Sequence, residues 1–251
     1  MKQRGAKKDP LYIIKYILFA AFFSALILFF ICIASHFEKS FSDSKSADAF
    51  SPDSVPTIVI DAGHGGEDGG TSSGGVVEKD LNLSISRDLA DMLRAAGYEV
   101  LLTRNEDRLL YDPQSDYVGR KKQLDLAERV RIGESVENCI FISIHMNAFP
   151  DPKYRGLQVY FSANDESSKA LAQSIQSSVC QHLQTDNKRT IKKATSRIFI
   201  LNQIKKPAVL VECAFLSNPE ECALIATPEY RKKLTFCIFS GICEFISENK
   251  C

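Results

Sequence analysis

Two of the four histidines in this chain lie at, or just after, the ends of short apolar runs. His64 belongs to the stretch IVIDAGHGGEDGG, residues 58–70, and His145 ends the run CIFISIH, residues 139–145. Glu78 precedes an amphipathic helical pattern. Two histidine nitrogens and one carboxylate oxygen are a ligand set of hydrolytic zinc sites, in which a fourth tetrahedral position stays open for water. We therefore predict His64, Glu78 and His145 as candidate ligands of one Zn²⁺ ion.

Glu212 is a carboxylate that directly follows the apolar residues 208–211. An unpaired carboxylate there is costly to bury, and a water held by zinc would give it a partner. Glu212 would then serve as general base and afterwards as proton donor. Structural interpretations stay open: a strand-end histidine can be structural, Glu78 can stabilise a helix start, and Glu212 can form a salt bridge. Residue types and spacing alone do not decide between these alternatives.

The glycine-rich loop around His64 superficially resembles a phosphate-binding loop but lacks its key positions. Gly63-x-Gly65 is followed by Asp68 where a dinucleotide motif needs glycine, and no Gly-Lys-Ser/Thr follows. The acidic pair Glu67 and Asp68 would repel phosphate and would instead mark the rim of a cleft. Glycines here let the backbone turn tightly, so that His64 can point into a site. The formal net charge of +0 does not decide on nucleic acid, and we expect none as a partner.

The N-terminal part of the chain has the features of a membrane segment. Residues 16–35 carry no charge, and at about 1.5 Å per residue a helix of this length crosses a hydrocarbon core of about 30 Å. Lysines and arginines in residues 1–15 keep that end in the cytoplasm and place the rest outside. The alternative is a cleaved signal segment. Polar residues 36–56 are a flexible linker, and residues 57–251 are the catalytic domain.

The eight cysteines do not form an obvious disulfide or metal-binding framework. No CxxC pair is present, and Cys139, Cys213 and Cys237 fall at positions for small buried apolar residues. We expect mostly free, buried thiols.

Strand-like and helix-like patterns alternate from residue 57 onwards, which predicts an α/β fold. We expect a three-layer sandwich: a central mixed, mostly parallel sheet of about six strands with helices on both faces. His64, His145 and Glu212 would then meet at one edge of the sheet. Asn164 is the expected cap of the helix at 164–183. The predicted strands are 57–61, 98–103, 139–145, 156–162, 197–201 and 208–212, and the predicted helices are 80–96, 124–135, 164–183 and 228–247.

Four sequence blocks resemble the signature segments of the zinc-dependent N-acetylmuramoyl-L-alanine amidases. They are IVIDAGHGGEDGG, VVEKDLNLSISRDLADML, FISIHMNAF and AVLVECAFLSNPEE, and they occur in that order. The resemblance implies hydrolysis of the amide between the lactyl group of muramic acid and the first L-alanine of the peptide stem. It also implies that His64, Glu78 and His145 bind zinc and that Glu212 is the catalytic carboxylate. Asn147 is a candidate for orienting the substrate, or a plain strand-end residue.

Within this family, the N-terminal segment and the loop before LDLAERV are most similar to the germination-specific, spore-cortex branch of endospore formers. That resemblance implies removal of peptide stems before muramic-δ-lactam synthesis, in the intermembrane space of the developing forespore, and an accessory spore protein as a possible partner. Some relatives have an occluding helix after the histidine-bearing strand. Residues 146–155 contain Pro150 and Pro152 and are too short for one, so we expect no self-inhibition of that kind.

Two other functions stay open on the sequence. One is a different zinc-dependent hydrolase of the cell wall, such as a peptidase or deacetylase. The other is a membrane-tethered scaffold that binds the wall without cleaving it. The basic segment 188–193 is expected to be a solvated loop, or else a contact for a partner protein or an anionic wall polymer. Arg131 is expected on a helix surface.

Overall fold

The computed structural model describes residues 55–112 and 114–248. The predicted cytoplasmic segment 1–15, the membrane segment 16–35 and nearly all of the linker 36–56 lie outside the described residues, so they stay predictions. Within the described ranges, no helix is long and apolar enough to cross a membrane.

A six-stranded sheet forms the centre of the domain. Its strands are β1 (Thr57–Ala62), β4 (Val100–Leu102), β5 (Cys139–Asn147), β6 (Gln158–Phe161), β7 (Lys192–Lys193) and β8 (Ala208–Phe215). They lie in the order β4-β1-β5-β8-β6-β7, and neighbours run parallel except for the antiparallel pair β6 and β8. Strands β2 (Ser72–Ser73) and β3 (Val76–Val77) form a separate antiparallel pair. The predicted mixed, mostly parallel sheet is confirmed.

Helices cover both faces of this sheet. They are α1 (Glu78–Ala95), α2 (Lys121–Glu134), α3 (Ser167–His182), α4 (Phe199–Gln203), α5 (Pro219–Ala226) and α6 (Pro228–Glu248). Ile58 and Ile60 of β1 pack in one apolar cluster with α1, α3 and α6, while Val59 packs in a second with α2 and α4. Alternate residues of a strand point to opposite faces, so a strand buried on both faces has to be apolar throughout. This arrangement is the predicted three-layer sandwich.

One predicted strand is wrong. Residues 197–201 were expected to be extended, but Phe199–Gln203 form the short helix α4, which buries Ile200 and Leu201 against the sheet. A short apolar run does not show by its periodicity whether it is a buried strand or one buried helical turn. The remaining predicted elements are present, with ends shifted by a few residues.

The expected helix cap at Asn164 is also wrong. Helix α3 begins at Ser167, whose backbone N–H donates to Asp165 Oδ1 at 2.8 Å. Asn164 instead donates from Nδ2 to the carbonyls of Leu201, at 3.3 Å, and Ile204, at 2.9 Å. Its amide therefore holds α4 in place, a long-range role that the local sequence pattern does not reveal.

The cysteines of the described ranges are free thiols, and most of them are buried. They are Cys139, Cys180, Cys213, Cys222, Cys237 and Cys243. Burial raises the pKa of the Cys139 thiol to about 11, despite the nearby charge of Lys206, and so keeps it protonated at neutral pH. For this part of the chain, the prediction of free thiols is confirmed.

Candidate active site

The topology of the sheet brings the candidate site residues to its carboxyl edge. Strand β1 ends at Ala62, just before His64, and the parallel neighbour β5 carries His145 near its own end. On the other side of β5, Glu212 of β8 is the register partner of His145. Ligands of open α/β sheets bind outside the carboxyl ends of the strands. His64, His145 and Glu212 therefore share one edge, as the sequence pattern predicts.

His64, Glu78 and His145 converge on one point. One nitrogen of each histidine and a carboxylate oxygen of Glu78 all lie within 4.8 Å of one another. Glu78 Oε1 is 3.2 Å from His64 Nε2 and 3.0 Å from His145 Nδ1. Burial raises the pKa of Glu78, but hydrogen bonds and charge from His145 and His64 outweigh it and hold the pKa well below its ordinary value. Two imidazoles and an ionised carboxylate facing one another are a donor set that fits a divalent metal ion such as zinc.

Two glycines leave the space in which these side chains meet. A Cβ atom at Gly63 would overlap the ring of His145, and one at Gly70 would overlap the carboxylate of Glu78. His64 itself has φ 62°, a left-handed backbone that residues other than glycine rarely adopt. The expectation that this loop turns sharply to aim His64 is confirmed.

A shell of hydrogen bonds orients the candidate ligands. The backbone N–H of Thr71 donates to Glu78 Oε2 at 2.9 Å, and that of Met146 donates to Oε1 at 3.0 Å. Asp68 Oδ2 lies 3.0 Å from His64 Nδ1, which leaves Nε2 of the ring facing Glu78. Burial lowers the pKa of His64, while Glu78 and Asp68 raise it and together prevail. A carboxylate on the second ring nitrogen is the usual way in which a protein fixes the tautomer of a metal-binding histidine.

Two buried arginines hold the backbone that leads from β1 to His64. Arg104 donates from Nε to the carbonyl of Ala62 at 2.8 Å and from Nη2 to that of Gly63 at 2.9 Å. Arg129 donates from Nη1 to Ala62 O and from Nη2 to His64 O, both at 2.7 Å. Each arginine is only 1% exposed. Neither arginine is marked by the sequence pattern, because their partners are main-chain carbonyls far away in the chain.

The charge of Arg129 is balanced inside the protein. Its Nη1 lies 2.6 Å from Asp61 Oδ1, and its Nε lies 2.8 Å from Asp125 Oδ2. The hydroxyls of Thr103 and Ser143 also donate to Asp61, at 2.8 and 2.6 Å. Burial raises the pKa of Asp61, but Arg129 and these hydroxyls prevail and hold the carboxyl below its ordinary pKa. Asp61 is therefore ionised and fully paired, which makes it a structural anchor rather than a proton donor.

Glu212 differs from these paired carboxylates. Its Oε2 atom is buried and has no hydrogen-bond partner among the described residues. Burial is the main cause that raises the pKa of Glu212 to about 7; His145 lowers it, and Glu78 raises it further. A carboxyl group with a pKa near neutral can both take and return a proton at physiological pH. The sequence pattern indicated a carboxylate in need of a partner, and the structure places that carboxylate beside His145.

A cleft of about 250 Å³ opens over this edge of the sheet. Its walls include His64, His145 and Glu212, together with Lys122 of α2 and Phe199 of α4. The cleft is large enough to admit a small part of a polymer, so His64, His145 and Glu212, which line it, are open to a substrate from outside.

Comparisons with known proteins agree with this geometry. The sequence model of the N-acetylmuramoyl-L-alanine amidases, Amidase_3, matches residues 58–244. The chain belongs to this amidase family. A relative from Bacillus subtilis (strain 168), the germination-specific N-acetylmuramoyl-L-alanine amidase, is 32% identical over 225 residues, which cover 89% of this chain and 94% of the relative.

Solved structures of the same family share the fold. The CwlD amidase from Clostridioides difficile, in complex with the GerS lipoprotein, matches with a TM-score of 0.74 and 34% identity, over 77% of this chain and all (100%) of that chain. The amidase AmiC2 of Nostoc punctiforme matches with a TM-score of 0.65 and 31% identity, over 76% of this chain and 97% of that one. Family and relatives together support N-acetylmuramoyl-L-alanine amidase activity on peptidoglycan.

The structure of this amidase also places the remaining residues that the sequence singled out. Asn147 ends β5, and its carbonyl accepts the N–H of Leu216 at 2.8 Å; it is not part of the cleft wall. Arg131 is exposed and pairs with Glu128, as expected for a helix surface.

The acidic pair of the glycine-rich loop is divided between two roles. Asp68 lines the cleft, whereas Glu67 forms an ion pair with Lys121. Residues 148–157, between β5 and β6, contain no helix; the absence of self-inhibition stays a prediction.

Proposed function

We propose that this protein is a zinc-dependent N-acetylmuramoyl-L-alanine amidase that hydrolyses the lactyl–L-alanine amide of peptidoglycan. His64, Glu78 and His145 hold one Zn²⁺ ion, and Glu212 is the catalytic carboxylate. The observation that carries the proposal is the convergence of the three ligand atoms within 4.8 Å, beside a buried Glu212 oxygen that has no other partner.

The roles of the residues follow from their surroundings. Bound zinc supplies Lewis acidity, which polarises the amide carbonyl and makes a water more acidic. Glu212, with a pKa of about 7, takes a proton from the attacking water as that water adds to the carbonyl carbon. It then donates the proton to the alanine nitrogen as the C–N bond breaks, which leaves a lactyl carboxyl group and the amine of alanine; loss of the acid proton to that amine gives a carboxylate and an ammonium group. Asp68 and the buried arginines hold His64 and its loop in place throughout.

The biological setting is a second part of the proposal. We infer that the enzyme removes peptide stems during spore-cortex muramic-δ-lactam synthesis, acting outside the cytoplasm in the intermembrane space of the forespore. Residues 16–35 would anchor it to the membrane or direct its secretion. Support comes from the germination-specific relative of Bacillus subtilis and from the CwlD amidase, whose structure is of a complex with the GerS lipoprotein. An accessory spore protein would therefore be a partner of this chain as well.

The reaction is tested by mass spectrometry of purified peptidoglycan after treatment with the zinc-loaded protein. An amidase releases peptides with a new N-terminal alanine amine and leaves the glycan strands intact. Cleavage within the stem would show a peptidase, and loss of acetyl groups would show a deacetylase. Binding to peptidoglycan without any product would show a scaffold. Each of these three outcomes contradicts the proposed reaction.

A further inference from the structure

A second cavity, of about 460 Å³, lies beside β6 and is separate from the metal centre. Tyr154, Arg155 and Arg189 form part of its wall, together with Glu221 and Tyr230. Neither the candidate zinc ligands nor Glu212 line it. The proposed reaction assigns no role to this cavity.

The guanidinium group of Arg189 is held rigidly at the edge of this cavity. Its Nε donates to the carbonyl of Arg155 at 2.6 Å, and its Nη1 donates to Gln158 Oε1 at 3.2 Å. The group also lies over the ring of Phe215, at 4.4 Å from its centre, and near that of Tyr154, at 5.8 Å. The segment 188–193 was expected to be solvated, but Arg189 is half-buried and fixed from several sides. An arginine fixed in this way loses little entropy when it binds a ligand.

No carboxylate pairs with Arg189 within the described parts of the chain. Arg155, its neighbour in the cavity, is paired with Asp186 at 3.1 Å. The nearby carboxylate of Glu221 accepts the backbone N–H groups of Gly156 and Phe215, both at 2.8 Å. Arg189 Nη2 has no hydrogen-bond partner among these residues. The positive charge of Arg189 is therefore positioned but left without an acidic partner of its own.

The cavity lies close enough to the catalytic carboxylate to take part in substrate binding. Gln158, the partner of Arg189, is the register partner of Glu212 on the adjacent strand. Adjacent strands are about 4.8 Å apart, and an extended peptide advances about 3.3–3.6 Å per residue. A peptide that has its first amide at Glu212 therefore reaches Arg189 within its first few residues.

We propose that Arg189 is a specificity residue that binds a carboxylate on one of the first residues of the peptide stem. This inference rests on the proposed amidase function and names the part of the substrate that the second cavity takes. The fork of an arginine matches a carboxylate, which can accept two parallel N–H···O bonds. Of the two parts joined by the scissile amide, the acetylated glycan is uncharged, whereas the stem is a peptide with free acid groups. Charge complementarity therefore assigns the stem, and not the glycan, to this cavity.

The test compares two synthetic substrates, N-acetylmuramoyl-L-alanyl-D-glutamate and its diamide, in which carboxamides replace both carboxylates of the second stem residue. The full-length, zinc-loaded protein is compared with Arg189→Gln and Arg189→Lys. Lys192→Gln is the control, because Lys192 is an exposed cation on β7 that does not line the cavity. The readout is kcat and KM for each substrate, with thermal unfolding measured for every variant.

We expect the parent protein to prefer the acid over the amide by about 10- to 100-fold in kcat/KM, the usual effect of one charge-assisted hydrogen-bonded contact. Arg189→Gln should remove that preference by raising KM for the acid, with kcat and cleavage of the amide unchanged. Arg189→Lys should keep only part of the preference, and Lys192→Gln should keep all of it. A purely structural arginine would instead weaken cleavage of both substrates alike.

Equal cleavage of acid and amide by the parent protein would overturn the subsite, and so would an Arg189→Gln variant that keeps the preference. Either result leaves the amidase function intact. Failure of the parent protein to cleave either substrate would count against the proposed function itself and the subsite together. If Arg189→Gln does not fold, Arg189→Lys provides the test. An unchanged preference for the acid in that variant contradicts bidentate binding of the carboxylate by Arg189.

Discussion

Arg129 and Asp61 form a fully buried ion pair, with 2.6 Å between Nη1 and Oδ1, and the same guanidinium binds the carbonyl of His64. The pair thus joins the core of the sheet to the loop that carries a candidate metal ligand. Removal of one partner of a buried pair leaves the other charge uncompensated, which is far more costly than the loss of an exposed pair.

Arg129→Met should therefore lower both stability and metal affinity. We expect a loss of about 3–5 kcal/mol in the free energy of unfolding, because Asp61 stays buried without its partner. Arg131→Met is the matched control on the same helix: Arg131 is 68% exposed, and its loss should change stability by less than about 0.5 kcal/mol. Urea denaturation measures the stability of both variants, and a chelator competition measures their affinity for zinc. Equal stability of the two variants would show that Arg129 does not anchor the loop.

Metal binding should depend on His145 but not on His182. His182 is an exposed histidine at the end of α3, so His182→Ala is the control for His145→Ala. We expect one zinc per protein molecule in the parent and in His182→Ala. In His145→Ala the affinity should fall by more than about 100-fold, because a direct ligand contributes more than the outer-shell groups that change affinity roughly 10- to 100-fold. Elemental analysis after dialysis and a chelator competition measure this difference; full zinc occupancy in His145→Ala would contradict the ligand assignment.

Glu212→Gln should separate metal binding from catalysis. The amide of glutamine has nearly the shape of the carboxyl group but cannot accept and return a proton, so kcat should fall by about 10²- to 10⁴-fold. Zinc content should stay at one per molecule, since Glu212 is not among the converging ligand atoms. Product release from muropeptides, followed by chromatography, gives the rate. A Glu212→Gln variant that holds zinc and cleaves at the parent rate would show that the proposed mechanism is wrong.

The same substitution should change how the stability of the metal-free protein depends on pH. The pKa of Glu212 rises on folding from 4.5 to about 7, chiefly through burial. Between these values the unfolded chain loses this proton while the folded protein keeps it, so the contribution of Glu212 to stability falls as the pH rises. Each unit by which folding raises the pKa corresponds to about 1.4 kcal/mol. With the pKa raised from 4.5 to about 7, Glu212→Gln should be more stable than the parent by about 3 kcal/mol at pH 8.

The two metal-free proteins should differ much less in stability near pH 4, where Glu212 is protonated in both states. Chemical denaturation in a chelator at several pH values gives the difference between parent and variant. Taking the difference cancels the titration of Glu78 and His64, which both proteins retain. A difference that does not grow with pH would contradict the raised pKa.

The sequence predicted the residues that meet at the site better than it predicted what holds them there. His64, His145 and Glu212 stand next to apolar strands, and the carboxyl ends of parallel strands share one edge, so their proximity follows from local pattern plus topology. Arg104 and Arg129 could not be found in this way, because they bind the carbonyls of residues about forty or more positions away. The residue types at those positions do not show which main-chain carbonyls accept hydrogen bonds from an arginine.

Two other differences have the same physical origin. The segment at residues 197–201 is apolar enough for a strand, and only its packing beside the cleft makes it helix α4. Arg189 lies in a basic segment that reads as solvated, yet Gln158, Phe215 and Tyr154 fix it from other elements. Local composition indicates solvent exposure and secondary-structure propensity. Long-range contacts decide which of several neighbouring basic side chains becomes part of a site.

The register of β5 and β8 bears on the order in which the candidate metal ligands separate from one another. His145 and Glu212 are held together by the backbone ladder at the middle of the sheet, whereas His64 lies on a loop beyond β1. Segments outside the central strands open at a lower free energy than the strands themselves. A transient opening of that loop would thus release His64 and with it the ion. His145 and Glu212 would keep their spacing, because the backbone ladder between β5 and β8 holds them. The metal-free centre then still holds His145 beside Glu212, and it recovers its ligand His64 when the loop closes over a new ion.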